Sequence, residues 1–168
     1  MLVKYRPMTK VKKFHVPGIH QISGGKDPLR LVKDFIVRLG FDPDQSQREF
    51  TAENARWMIS LGEDEELEVL LEGLKNKAET TIYMGVNIAT VPVRGGYEML
   101  AAALEIADGL IGVKVSLVGH YLVLSASLGA ADIGVDDLEY HYKLIAAQRH
   151  WFHEALADEL GWEGLPSA

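Results

Sequence analysis

The sequence predicts an α+β domain with an antiparallel sheet, built in the order helix, three strands, helix, two strands, helix. Two patterns carry this. Apolar residues recur at helical spacing in three segments and at every second position in the segments between them. The strand-like segments also come as neighbours joined by short turns instead of alternating one for one with helices. That arrangement favours an antiparallel sheet over a doubly wound parallel one.

Each element has its own signal. Asp27 and Pro28 open the first helix, since aspartate suits a cap and proline suits the first helical position. Leu31, Val32, Phe35, Ile36 and Leu39 then share a face, and Gly40 is placed to end the helix. Asp42-Pro43-Asp44 reads as turn and loop. From about Phe50 the period becomes two: Trp57, Ile59 and Leu61 alternate with Met58 and Ser60. Gly62 and the acidic run Glu63–Glu66 make a solvated turn. Leu67, Val69 and Leu71 suggest the second strand, although Leu67, Leu70, Leu71 and Leu74 equally mark a helix face, and the short flanking loops favour the strand. After the turn at Lys75-Asn76-Lys77, Ile82, Met84, Val86 and Ile88 form a longer strand that stops near Pro92.

The helical period returns after Gly95-Gly96, with Tyr97, Leu100, Ala101, Leu104 and Ala107 on one face and Gly109 at the end. Ile111, Val113, Val115 and Leu117 alternate next. Gly119-His120 turns the chain into Leu122, Leu124, Ala126 and Leu128. A loop over residues 129–134 leads to Asp136 and Asp137, which suit the start of a last helix running to about Leu160 and stopped by Gly161. This helix is apolar on two sides. Leu138, Tyr142, Ile145, Phe152 and Leu156 form one stripe; Leu144, Ala147, Trp151 and Ala155 form another. A surface helix needs one core-facing stripe, so the second predicts a further buried surface. A partner subunit is its simplest supplier, and sheet and loops of the same chain are the alternative.

The 168 residues fit one domain at 27–162, preceded by a basic leader at 1–26 and followed by a tail at 163–168. With 48% apolar and 24% charged residues the composition is that of a folded globule. No apolar run approaches the ~20 residues that cross a bilayer, so no membrane span is expected. The absence of cysteine excludes disulfides, thiolate metal sites and a cysteine nucleophile, and it fits a cytoplasmic location. Lys4, Arg6, Lys10, Lys12, Lys13 and Lys26 face no acid within the leader, whereas the whole chain carries −7. The acidic body repels phosphates, which leaves the leader as the one segment suited to nucleic acid.

Residues 97–128, YEMLAAALEIADGLIGVKVSL followed by GHYLVLSASL, resemble the YbjN family, with Leu122, Val123, Leu124, Ala126 and Leu128 on the strand that precedes the final helix. The element order over 27–160 also resembles the type III secretion chaperones. The resemblance implies a bacterial homodimer whose second helix forms the dimer contact. It further implies sheet faces and grooves that receive an extended client segment, and no catalytic residue set. A regulatory role is associated with YbjN proteins.

The candidate chemistry is thin. His150 and His153 share a helix face near His141 and Glu154, but a zinc site needs three or four ligands and HExxH spacing is absent. Gly24-Gly25-Lys26 lacks P-loop spacing, and Ser125 and Ser127 lie on a strand without a nucleophile elbow. No catalytic residue, metal site or cofactor is therefore assigned. The interface candidates are Tyr97, Leu100, Leu104, Tyr140, Leu144, Trp151 and Ala155, drawn from surplus apolar surface on the last two helices. The expected function is a non-enzymatic dimeric adaptor or chaperone-like module that binds a segment of another protein. The alternative is a regulator with a small molecule bound between sheet and helices.

Overall fold

The computed structural model describes residues 27–62, 65–76, 79–163 and 165–166. The basic leader, Glu63, Asp64 and Lys77 lie outside the described residues. The elements are α1 (Pro28–Arg38), α2 (Pro43–Ser46), β1 (Gln47–Phe50), β2 (Asn54–Gly62), β3 (Glu65–Glu72), β4 (Thr81–Thr90), α3 (Gly96–Ala107), β5 (Lys114–Val118), β6 (Tyr121–Gly129) and α4 (Val135–Leu160). The expected α+β class and antiparallel sheet are present. The order gains two short elements: the segment read as loop after Gly40 holds α2 and an edge strand, β1. Asp42 caps α2 by accepting the Asp44 N–H at 2.9 Å. Only three of the four β1 residues pair with β2, across a bulge between Gln47 and Glu49, too few to leave an alternating pattern.

Strand order is β1-β2-β3-β4-β6-β5, with every neighbouring pair antiparallel. Leu67–Leu71 is strand. Leu67, Val69 and Leu71 are fully buried between β2 and β4, and Leu74 lies in the following turn. Pairing on both sides satisfies the β3 backbone in a way that an isolated helix turn there would not. β5 begins at Lys114, because Ile111 and Gly112 form a bend in which Gly112 takes φ +71°.

The helices α1, α3 and α4 cover one sheet face. Trp57, Ile59, Ile82, Met84 and Leu124 meet Phe35, Ile36, Met99, Ile145 and Phe152 in one continuous core. Among the described residues the other sheet face carries no helix. α1 is tied to α4 by Arg38, which pairs with Glu139 at 2.8 Å and also with Asp136. The α4 N-terminus is closed by Asp137, whose carboxylate accepts the Gly134 N–H at 2.7 Å. At the other end of the helix Gly161 takes φ +63°.

Candidate protein interface

Helix α3 sits the other way round from the stripe that its periodicity suggests. Gly96, Met99, Ala102 and Ala103 are buried, while Tyr97 and Leu104 remain 82% and 71% exposed. The cause is packing distance: the small side chains let α3 approach α4 closely. With only Glu98 and Glu105 charged, the helix is apolar nearly all round, so its sequence does not single out one face. Leu100 is half-buried against the core margin. The residue set expected to form an interface is thus split: Tyr97 and Leu104 are displayed, and Leu100 is partly used by the fold.

The α4 stripe of Leu138, Ile145, Phe152 and Leu156 is buried as expected, and Tyr142 meets the Phe35 ring edge-on at 6.2 Å. The second stripe finds part of its cover within the chain. The loop between α3 and β5 lies against it, with Gly112 so close to Leu144 that a Cβ there would stand 2.9 Å from Leu144 Cδ2. Gly109 also lies close to the Trp151 ring, at 3.2 Å for a Cβ. Between them Gln148 clamps the loop, accepting the Ile111 N–H at 3.1 Å and donating to the Ile111 carbonyl at 2.8 Å. Leu144 and Ala155 are half-buried, Trp151 stays 46% exposed, and Tyr140 projects from the first third of the helix. Ile111 in the loop and Leu117 and Val118 on the edge strand β5 are exposed as well.

Sequence periodicity misses two features. One is Arg149, which lies on the buried stripe of α4 at 8% exposure and forms an ion pair with Glu65 at the start of β3. Burial holds its guanidinium below the ordinary arginine range. The other is a groove of about 440 Å³ between α1, α2 and β1, lined by Leu29, Lys33, Asp44, Arg48, Glu49 and Phe50. It depends on a strand too short to recognise.

On the helix-free sheet face, Tyr83 folds over Gly85 and leaves no room there for a Cβ. Burial raises the Tyr83 phenol above its ordinary value. Arg56 pairs with Glu68 across β2 and β3 at 2.6 Å on the same face. A small cleft of about 120 Å³ beside them is bounded by Met58, Asn87, Val118 and Val123. His141 Nδ1 lies 2.8 Å from the Asp137 carbonyl, and His150 lies beside Arg149. Among the described residues no group of three or more His, Cys, Asp or Glu side chains is placed to hold a metal ion. Nor, among them, is any helix long and apolar enough to cross a membrane.

No family model matches the chain, and no curated protein matches it by sequence. Solved structures do share its fold. One matching chain comes from the structure of the HopA1–SchA chaperone–effector complex, with a TM-score of 0.50, 14% identity and coverage of 75% of this chain and 92% of that one. A chain from the ExsC–ExsE complex matches with a TM-score of 0.51 and 15% identity over 76% of this chain and 91% of that one. The heterodimeric ExoU–SpcU complex from the type III secretion system of Pseudomonas aeruginosa supplies another, with a TM-score of 0.50, 14% identity and coverage of 74% and 96%. At this identity the likeness is one of fold: helices on one face of an antiparallel sheet, as in structures of type III secretion chaperone complexes.

Proposed function

We propose that this chain is a non-enzymatic, dimeric protein-binding module of the adaptor or chaperone kind, which recognises a segment of a partner protein. The observation that carries the reading is apolar surface left over by a completed core. Tyr97 and Leu104 on α3, Ile111 in the loop, and Leu117 and Val118 on β5 are all exposed although 26 buried apolar residues already form one cluster. Surface of this kind marks association sites in folded proteins. The exposed face of α3, with Trp151 and Tyr140 on α4, is the contact for a second copy. The edge strand β5 pairs on one side only and carries no bulge, so an extended partner segment can add to it by main-chain hydrogen bonds. Kinship with the YbjN family, residence in the cytoplasm and a division into leader, domain and tail belong to the same proposal. They rest on residues 97–128, on the lack of cysteine and on the charge asymmetry of the chain. The shared fold with chains from effector complexes supports the protein-binding role.

Two observations favour this over a small-molecule sensor. The space between sheet and helices is filled by Trp57, Met84, Phe35 and Phe152, and the larger groove lies at the margin with a charged rim. The proposal is tested by affinity capture from cell extract with the purified chain. Reproducible retention of a discrete protein at moderate salt is the expected result, and reproducible failure to retain any removes the reading.

A further inference from the structure

We propose that residues 10–16 of this same chain, KVKKFHV, dock in the groove between α1 and β1. The groove has two apolar walls, Leu29 and Phe50, and a rim of mixed charge. Phe50 lies on its wall at 61% exposure, Leu29 faces it from α1, and the Glu49 carboxylate on the rim has no ion-pair partner among the described residues. The β1 backbone pairs with β2 on one side only, so its outer edge is open to a further extended segment.

Three facts select the occupant. The first is attachment: α1 begins at Pro28, and its residues Leu29 and Lys33 are walls of the groove. Residues 17–26 provide ten positions, which span up to about 35 Å and so reach any point of a groove that starts at the first turn of α1. The second is charge. Taking the six cations of residues 1–26 from a total of −7 leaves −13 on residues 27–168, so the leader is drawn to the body as a whole. The third is local chemistry. Phe14 and Val16 fall on one side of an extended chain, matching Phe50 and Leu29, and Lys12 and Lys13 beside them supply the cation that Glu49 lacks. Tethering makes even a weak site matter. A short linker sets an effective concentration in the millimolar range, so an intrinsic Kd of about 1 mM leaves the groove roughly half occupied. The inference does not depend on a client protein or on dimerisation.

The absence of cysteine makes the test clean, because Thr9→Cys in the full chain creates a single thiol for a nitroxide label. Amide signals of Lys33, Gln47 and Phe50 should lose about half their intensity or more, given half occupancy of the groove. Those of Tyr97 and Leu117, towards the opposite edge of the sheet, should keep theirs. Phe50→Ser, at an exposed site, should abolish the local loss without moving the thermal midpoint. Three results overturn the proposal: no loss at the groove, loss spread evenly over the surface, or loss that survives Phe50→Ser. Loss that also appears on isotope-labelled chains mixed with nitroxide-bearing, unlabelled ones overturns it too, because the occupant would then come from another molecule.

Discussion

Arg149 shows why single residues decide how α4 sits. It lies at 8% exposure on the helix stripe that also carries Ile145 and Phe152, and its guanidinium meets the carboxylate of Glu65, which is itself part exposed. Removing one partner of such a pair leaves a charge with poor company, whereas removing both costs less. Arg149→Met should therefore lower stability by about 1–3 kcal/mol in urea unfolding, and Arg149→Met with Glu65→Gln should recover part of that loss. Tyr83 gives a pH signature. Its phenol is raised by burial, so the fold holds the neutral form. The associated stability is full below the ordinary phenol pKa and drains as pH climbs past about 10 towards the raised value. Unfolding midpoints measured across this range should fall less steeply for Tyr83→Phe than for the wild type. Neither residue stands out in the sequence: Arg149 and Tyr83 sit at positions that periodicity assigns only to a face, and the Arg149 partner, Glu65, comes from a distant strand.

At the scale of elements, legibility followed the number of structural constraints on each segment. β2, β3, β4 and β6 pair on both sides and bury one face, so their alternation is clean and their residues were readable. α1 and the main stripe of α4 were readable for the same reason. β1 and α2 were not, because four-residue elements at an edge leave no periodic trace. α3 was legible as a helix and illegible in orientation, since glycine and alanine flank Met99 on the buried side while the large apolar Tyr97 and Leu104 lie outside. Helix α4 was read with two apolar stripes, and the Gln148 clamp on the loop at Ile111 explains part of the second without a partner. Gln148→Ala should free that loop at a cost of about 1–2 kcal/mol, with faster amide exchange at residues 109–113 as the local readout. Tyr97→Ser with Leu104→Ser, both at exposed sites, should leave thermal stability within about 0.5 kcal/mol. Light scattering at micromolar concentration should then report 18.6 kDa for the double variant and twice that for the wild type. Equal masses for the two would remove α3 as the contact.

At the scale of the molecule, one sheet divides the surface into regions of different character. Helices cover one face and a mixed polar face lies open. The β1 edge is short, bulged and bordered by Arg48 and Glu49. The β5 edge is regular and displays Leu117 and Val118. The fold class was legible from pattern alone. Which surface binds was not legible, since exposure at Tyr97, Phe50 and Leu117 depends on how elements far apart in sequence come to lie together. The most direct measurement is affinity capture run in parallel with the wild type and with Leu117→Lys combined with Val118→Lys, both shown to be folded by thermal melting. The wild type should retain a discrete partner protein that the double variant does not. Failure of the wild type to retain any protein reproducibly, or retention of the same set by both, would contradict a binding module that works through the β5 edge.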